Sequence, residues 1–446
     1  MTSLPAWNDV YPVMETRCHD SLVSQRVPFL QSLQTLIKSE TLEAPQLGFI
    51  SSILLNTFTI YCDHKSKRLV QDIFRDILTL EPRLLEKYVQ FILTQTNKNA
   101  GAKAHVDYLN LLEWVNNFIE FTSQDKERFQ TYIPKLLEAH CHVGACIEVS
   151  LSTQEPEKKS IKKRNQHFAR LHKTLLKTTK KALVHCLKPA ETSVELAELM
   201  FKIVLVDHTK LKLPVTGVVV IMGSLTQAIL QLAQSHPQLY NLLKDNYCEK
   251  YCKFIGKEVI LSKIPPSAFC QETFLSPFIK EFLTEETLKT DILPNIEMAN
   301  LRSPETGFTT TSELYSAIDV QKIDILHVFI SSKLITQSFS SLKSSKEVVR
   351  KITLESLHNL LSTISKDKTQ DEDLVKFVDE VFKNIKSNLN ADYKALASKI
   401  ICQIPKFSAD ASKKVALNLS NYILKESNET ALTFMLDAFY THFNVS

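Results

Sequence analysis

The densest group of side chains that could bind a ligand lies between residues 158 and 190. This segment holds eleven lysine and arginine residues and no aspartate or glutamate. The basic residues are Lys158, Lys159, Lys162, Lys163, Arg164, Arg170, Lys173, Lys177, Lys180, Lys181 and Lys188. Because the whole chain has a formal net charge of only +4, its remainder is net acidic. Clustered cations attract a phosphate backbone through counterion release, so the segment predicts sequence-independent contact with nucleic acid.

The second half of this segment carries a basic and an apolar stripe at helical spacing. The apolar stripe consists of Phe168, Leu171, Leu175, Leu176 and Leu183. The pattern predicts an amphipathic helix with an exposed basic face. Few aromatic residues accompany it, so base stacking is not expected. Two interpretations stay open: contact with RNA phosphates, or a solvated helix face. A calmodulin-type or membrane-surface helix fits less well, because the apolar stripe is needed for packing.

Histidine and cysteine residues are grouped once, but their spacing argues against a metal site. His140, Cys141, His142 and Cys146 could ligate zinc by residue type, yet three consecutive residues cannot all point to one tetrahedral centre. We therefore predict no metal. The chain has nine cysteines, an odd and scattered set, which argues against a disulfide framework and for the cytosol.

Motifs that bind phosphate or perform catalysis are missing. The chain contains no G-x-x-x-x-G-K, G-x-G-x-x-G, H-E-x-x-H or G-x-S-x-G sequence. Only 7 of the 446 residues are glycine. A Rossmann sheet, a P-loop or a β-barrel would need more, since glycine serves tight turns and close approach to phosphate. We predict that the chain is not an enzyme and binds no cofactor.

The elements that must position the basic residues are helices. Helical spacing recurs along the chain, as in the set Val70, Ile73, Phe74, Ile77 and Leu78. The helices come in pairs, of which the clearest are 27–38 with 46–61 and 67–80 with 83–94. A unit of about 40 residues is the period of HEAT and armadillo repeats. We predict an all-α HEAT/armadillo-type helical-repeat solenoid, an α-α superhelix.

Charge interrupts the periodicity once, and this break sets the predicted domain organisation. N-terminal helical repeats occupy 1–147, a charged linker 148–166 and further helical repeats 167–446, all in one continuous solenoid. A shorter polar stretch at 303–312 predicts a surface loop. Capping boxes are predicted from Thr192, Ser344 and Thr369, each followed by glutamate after three residues. Proline is predicted to mark helix entrances at Pro28, Pro45, Pro82, Pro134, Pro237 and Pro277.

Membrane insertion is not expected. Residues 213–233 are the most apolar stretch, but polar residues interrupt it, so a helix buried on all sides fits better than a membrane span. Residues 1–20 lack the basic and then apolar layout of a signal peptide.

Six short stretches resemble the extreme N-terminal region of the fungal general-control-nonderepressible-one co-activators, which are giant ribosome-associated HEAT proteins. The stretches are 26–31 (RVPFLQ), 54–61 (LLNTFTIY), 107–114 (DYLNLLEW), 217–223 (GVVVIMG), 344–350 (SSKEVVR) and 386–393 (KSNLNADY). They are spread over nearly the whole chain, and none is a catalytic motif.

The resemblance implies a function that the residues alone do not. Members of the family stimulate the kinase that phosphorylates initiation factor two when amino acids are scarce, and they act on ribosomes. The resemblance implies that this part helps to dock the co-activator on the ribosome, through ribosomal RNA or ribosomal proteins, in the cytoplasm. The kinase and an ABC-type ATPase would engage regions outside this chain. The alternative is a protein-only adaptor solenoid, karyopherin-like or vesicle-coat-like, that binds peptide or protein partners.

Overall fold

Helices dominate the computed structural model, which describes residues 7–18, 22–39, 42–56, 63–96, 107–154, 161–261, 275–364, 369–387, 391–403 and 409–443. It is 85% helical, with no strand in these ranges. The first helices are α1 (Trp7–Cys18), α2 (Val23–Ser39), α3 (Ala44–Asn56), α4 (His64–Leu80), α5 (Leu85–Gln95), α6 (Tyr108–Thr122), α7 (Lys126–Gln154), α8 (Ile161–Leu187), α9 (Ser193–Phe201), α10 (Val215–Leu232), α11 (Pro237–Asn241) and α12 (Cys248–Phe254). The later helices are α13 (Ser276–Phe282), α14 (Glu285–Thr287), α15 (Leu293–Arg302), α16 (Pro304–Ala317), α17 (Ile325–Ser331), α18 (Leu334–Ser341), α19 (Glu347–Thr363), α20 (Asp371–Ser387), α21 (Ala391–Gln403), α22 (Ala409–Ile423) and α23 (Glu429–Phe443). The all-α fold of HEAT/armadillo type is confirmed.

The chain forms two compact units. The first comprises Met1–Ser160 and Thr174–Leu242, and the second comprises Ile161–Lys173 and Leu243–Ser446. Of the predicted charged linker, residues 148–154 belong to α7 and residues 161–166 to α8, while 155–160 lie outside the described ranges.

Aromatic rings join consecutive helices in the core of the first unit. The ring centroids of Phe74 in α4 and Tyr88 in α5 lie 4.5 Å apart, and Trp114 in α6 meets Phe74 edge-on at 4.9 Å. All three side chains are buried. Such ring pairs add roughly 0.5–1.5 kcal/mol each beyond the area they bury, so this cluster links neighbouring repeats.

A partly buried ion pair connects α2 to the start of α4. The guanidinium of Arg26, which is only 4% exposed, donates to Asp63 Oδ2 at 2.6 Å and to Ser66 Oγ at 3.0 Å. Asp63 also caps α4, since its carboxylate accepts from the Ser66 backbone N–H at 2.8 Å. Partial burial raises the pKa of Asp63, but hydrogen bonds from Ser66 and Arg26 outweigh this effect and lower it to about 2.

The backbones of α7 and α10 touch at a glycine. A Cβ atom on Gly217 would lie 2.2 Å from the carbonyl oxygen of Cys141, far inside van der Waals contact. Gly144 lies one turn after Cys141 in α7. A Cβ atom added to Gly144 would lie 3.6 Å from the Cα atom of Gly217. The backbone φ of Gly217 is not positive, so its conformation alone does not require glycine. Glycine is required at this position because the two backbones approach each other so closely.

Helices of the second unit stack in two layers. In one layer α19 packs on α16, α21 on α19 and α23 on α21. In the other layer α20 packs on α17, and α22 packs on α20. The layers meet where α21 packs on α20 and α23 on α22. Successive helix pairs thus bury one another, as in a solenoid.

Among the described residues, four wider helical turns of the π type occur in the middle of the chain. They are Lys202–Val206, Leu242–Tyr247, Ile255–Ile260 and Leu288–Ile292. Two of them touch, because a Cβ on Gly256 would lie 2.0 Å from the carbonyl oxygen of Asp291. A π turn holds one residue more than an α turn.

Several local sequence signals are wrong. Pro28 and Pro134 lie inside α2 and α7 rather than at their starts. Thr192 makes no side-chain capping bond, Ser344 lies three residues before the start of α19, and Thr369 lies two residues before α20. The segment 303–312, predicted as a surface loop, is helical from residue 304 onward as part of α16.

Candidate nucleic-acid interface

The second half of α8 is amphipathic, with one fully buried face. The buried side chains are Leu175, Leu176, Thr179, Ala182, Leu183, Cys186 and Leu187. Lys173, Lys177 and Lys181 are exposed, and Lys180 is half-exposed. Steps of three and four residues place these lysines on adjacent positions of one helix surface. The described residues therefore lie on the faces that the sequence predicts.

A buried hydroxyl fixes α8 against α6 and α7. The side-chain amide of Asn116 in α6 donates to Thr179 Oγ1 at 3.4 Å, and the same hydroxyl shares a 3.0 Å hydrogen bond with His140 Nε2 in α7. Burial lowers the pKa of His140 to about 3, so its ring is neutral near pH 7. Because only one rotation of α8 places Thr179 between both partners, this contact determines which face of the helix is exposed.

The C-terminal end of α8 is held by two further contacts. His236, which precedes α11, donates from Nε2 to the carbonyl oxygen of Lys188 at 2.9 Å. The Nδ1 atom of the same histidine accepts a 2.8 Å hydrogen bond from the Ser235 hydroxyl. The thiol of Cys186 donates to the carbonyl of Ile119 in α6 at 3.6 Å. Carbonyl groups at a helix end lack intrahelical partners, so the histidine bond both satisfies and anchors this end. The Lys188 side chain is left exposed.

Three lysines on the exposed face of α8 have no acidic partner among the residues that the structure describes. Lys177, Lys180 and Lys181 form no ion pair within the described part of the chain. Other lysines of the same unit are paired: Lys126 contacts Glu195 at 2.7 Å, and Lys135 contacts Glu86 at 2.6 Å. Like charges three or four residues apart on a helix repel by roughly 0.2–0.5 kcal/mol per pair. A bound polyanion would remove this repulsion.

The remaining basic residues of the predicted set are described less fully. Lys158 and Lys159 lie outside the described residues. Lys162, Lys163, Arg164 and Arg170 belong to the first half of α8, where only the helical backbone is described. Within the first unit, the structure therefore brings together Lys177, Lys180 and Lys181 on one face of α8 and places Lys188 directly after this helix, whereas Lys173 belongs to the part of α8 in the second unit.

The histidine and cysteine side chains considered for zinc point to different neighbours. His140 contacts Thr179, whereas the thiol of Cys146 donates to the carbonyl of Thr96 at 3.8 Å. Cys141 is fully buried, and burial raises the pKa of its thiol. Within the ranges that the structure describes, no three histidine, cysteine or acidic side chains are grouped for a metal ion.

Helix α10 is the apolar stretch that the sequence predicts to be buried on all sides. By length and composition it could cross a membrane, but 72% of this 18-residue segment is buried inside the structure. Core helices of this kind pass the same composition test.

Sequence reasoning missed the buried polar contacts that hold α8. Thr179 follows Leu175 and Leu176 on the apolar stripe, so a polar residue interrupts an otherwise apolar face. A threonine on a buried face indicates a buried hydrogen bond, because buried polar groups need hydrogen-bond partners. The identities of the partners, Asn116 and His140, depend on contacts that are distant in sequence.

Comparison with known proteins relates the chain to one family. Residues 244–396 match the family model described as "Stalled ribosome sensor GCN1 N-terminal". The chain is 51% identical over 443 residues to the protein named eIF-2-alpha kinase activator GCN1 of Saccharomyces cerevisiae (strain ATCC 204508 / S288c). The match covers 99% of this chain but only 17% of that protein. The resemblance to this family's N-terminal region is confirmed, and the relative is named an activator of a kinase.

Solved structures give weaker matches. An engineered protein aligns with 98% of this chain and 99% of its own at a TM-score of 0.31 and 10% identity. The structure titled "Crystal structure of She4p" aligns with 98% of this chain and 77% of its own at a TM-score of 0.24 and 12% identity. The all-α repeat fold is evident from the packing of the chain's own helices.

Proposed function

This chain is a relative of the N-terminal region of GCN1, and we propose that it is a non-enzymatic scaffold that helps to dock a translational co-activator on the ribosome. The observation that carries the proposal is that Lys177 and Lys181, which are exposed, and Lys180, which is half-exposed, have no acidic partner within the described residues. They project from a helix that Thr179 and Cys186 fix to its neighbours. Such a fixed row of cations suits the regular charges of ribosomal RNA.

The longer polypeptide would supply the other activities. The longer polypeptide would activate the kinase that phosphorylates initiation factor two during amino-acid starvation, and it would do so on cytoplasmic ribosomes or polysomes. The kinase and an ABC-type ATPase would bind regions outside this chain. Similarity to a protein named eIF-2-alpha kinase activator supports this assignment.

Docking would be electrostatic and would form one contact among several. Each lysine neutralises one phosphate and releases counterions, which gives binding without a deep pocket. A long helical-repeat protein can join several weak contacts, and linking them raises the overall affinity without any new interaction. The exposed lysines of α8 would therefore contribute to affinity and its salt dependence rather than to base specificity.

The test is ribosome co-sedimentation across a salt series. The variant changes Lys177, Lys180 and Lys181 to glutamine together. Each phosphate contact contributes about 0.7–0.9 to the slope of log affinity against log salt, so the slope should flatten by roughly 2–3. Folding should be preserved, because exposed substitutions usually change stability by less than about 0.5 kcal/mol.

A matched control separates local contact from overall charge. The triple change of Lys65, Lys202 and Lys210 to glutamine removes the same charge from exposed positions of the same unit. It should leave the slope nearly unchanged. Equal slopes for all three proteins would reject the α8 contact, and binding that does not depend on salt would favour the protein-only adaptor.

A further inference from the structure

A histidine lies on the basic face of α8, between two of its lysines. His185 is exposed and belongs to the last turn of the helix. Lys177, Lys181 and His185 follow one another at steps of four residues, so they fall within about 80° of the helix circumference and along about 12 Å of its axis. Lys188 comes three residues later, directly after the helix. A phosphate strand that contacts Lys181 and Lys188 therefore passes over His185.

The groups around His185 leave its imidazole available to a ligand. It forms no hydrogen bond or ion pair with any residue that the structure describes. The ionisable groups of the elements packed on α8 face other parts of the helix. His140 in α7 lies against the buried face, and His236 bonds to the carbonyl group at the helix end. The charge of Glu120 in α6 acts on the buried thiol of Cys186.

We infer that His185 is a further phosphate-binding residue of this face and that it binds in its protonated form, an inference that rests on the ribosome contact proposed above. A proton on the imidazole adds a positive charge between Lys181 and Lys188, and like charges at this spacing repel. A phosphate strand bound along the face turns that repulsion into attraction. RNA binding and proton uptake then favour each other, because such coupling is reciprocal. Affinity should rise as pH falls from about 8 to about 5, the range in which histidine changes its charge.

The test is co-sedimentation of the whole 446-residue chain with purified ribosomes, in a salt series at each of two pH values. If protonated His185 contacts one phosphate, the slope of log affinity against log salt should be steeper at pH 6 than at pH 8 by up to about 0.7–0.9. His185→Gln should keep the shallower slope at both pH values. His185→Lys should show the steeper slope at both, because lysine stays charged throughout this range.

A matched control separates this histidine from others that titrate in the same range. His64→Gln removes an exposed histidine of α4 in the same unit and should keep the pH dependence of wild type. Histidines of the ribosome contribute equally to every series, so the difference between variant and wild type is the informative quantity. Thermal melts at both pH values check folding, which exposed substitutions usually change by less than about 0.5 kcal/mol.

The possible results distinguish this contact from the docking proposal. A His185→Gln protein with the pH dependence of wild type, or a His185→Lys protein with the shallower slope at pH 8, would overturn the inference. If the triple lysine variant of α8 still flattens the slope in that case, the docking proposal stands without the histidine. A slope that the triple lysine variant leaves unchanged would reject the α8 contact and this inference with it.

Discussion

Replacement of Gly217 by alanine should destabilise the first unit, although alanine is the better helix former. Alanine gains about 0.8–1.0 kcal/mol over glycine in a helix interior. The new Cβ would stand 2.2 Å from the carbonyl oxygen of Cys141 and 2.4 Å from its Cα. Both are backbone atoms of α7, so no side-chain rotation can relieve the contact, and the two helices must separate.

The expected cost exceeds the propensity gain. Overpacking of a core costs about 1–3 kcal/mol. Separating α7 from α10 by 0.5–1 Å also forfeits about a quarter to a half of the dispersion energy of each interhelical contact. After subtraction of the propensity term of about 1 kcal/mol, overpacking leaves a cost of about 0–2 kcal/mol, and the lost dispersion energy adds to it, so we expect a net loss of about 1–3 kcal/mol in the free energy of unfolding.

Two other glycines provide matched controls. A Cβ on Gly144 would meet its nearest neighbour, Gly217 Cα, at 3.6 Å, and one on Gly48 would meet Leu84 Cδ2 at 3.7 Å. Both are ordinary van der Waals contacts, so Gly144→Ala and Gly48→Ala should be neutral or stabilising by about 0.4–1 kcal/mol.

Urea unfolding followed by the fluorescence of Trp114, which is buried in the same unit, would report the change. Trp7, the chain's second tryptophan, would be replaced by phenylalanine in every protein compared. A Gly217→Ala protein as stable as its parent would refute the reasoning from the backbone contact.

Three further predictions concern side chains of the first unit. Asp63→Asn should lower stability by about 2 kcal/mol at pH 7, from the difference between a pKa of 3.8 and about 2. The pairing with Arg26 needs an ionised carboxylate. Urea titrations should therefore show that the difference in the free energy of unfolding between wild type and Asp63→Asn disappears as pH falls from about 4 to about 2. Wild type should lose stability as pH falls from 6.5 towards 3, because His140 takes up a proton in the unfolded chain at a higher pH than in the folded chain. The free energy of unfolding of His140→Gln should depend less steeply on pH over this range. Leu183→Ala, by opening a cavity, should cost about 2–5 kcal/mol in thermal melts, whereas Lys181→Ala should change stability by less than about 0.5 kcal/mol.

Helix positions are well predicted from periodicity because apolar spacing records the burial that stabilises each helix. The predicted helix 67–80 corresponds to α4, His64–Leu80, and its apolar stripe is fully buried. The same logic identified the exposed face of α8, where lysines alternate with buried leucines. Burial accounts for most of the stability of a helix in a protein, so the strongest signal in the sequence reflects the largest energy.

Helix ends are less well predicted because weaker local terms compete there. Ser344 fits the capping-box pattern, but its hydroxyl accepts from the N–H of Lys346, and the helix starts at Glu347. A real capping box forms at Thr284 with Thr287, where the third residue is threonine rather than glutamate. A cap contributes only about 1 kcal/mol, so tertiary packing decides where the chain turns.

The segment 303–312 shows how packing overrides composition. Its polar composition predicts a loop, yet the hydroxyls of Thr310 and Thr311 donate to the carbonyls of Thr306 and Gly307 within α16. Both threonine side chains are buried, since α16 packs between α15 and α19. A threonine satisfied by its own backbone in this way can line a helix interface.

The four π turns have a consequence for how relatives of this chain should be aligned. One residue corresponds to about 100° of rotation in an α-helix, so the extra residue in each π turn shifts the phase of every side chain that follows. A relative that lacked this residue would keep both flanking helices and lose only the bulge. Length differences of a single residue between homologues should therefore concentrate at 202–206, 242–247, 255–260 and 288–292, and gaps placed there would restore the register of the apolar stripes on either side.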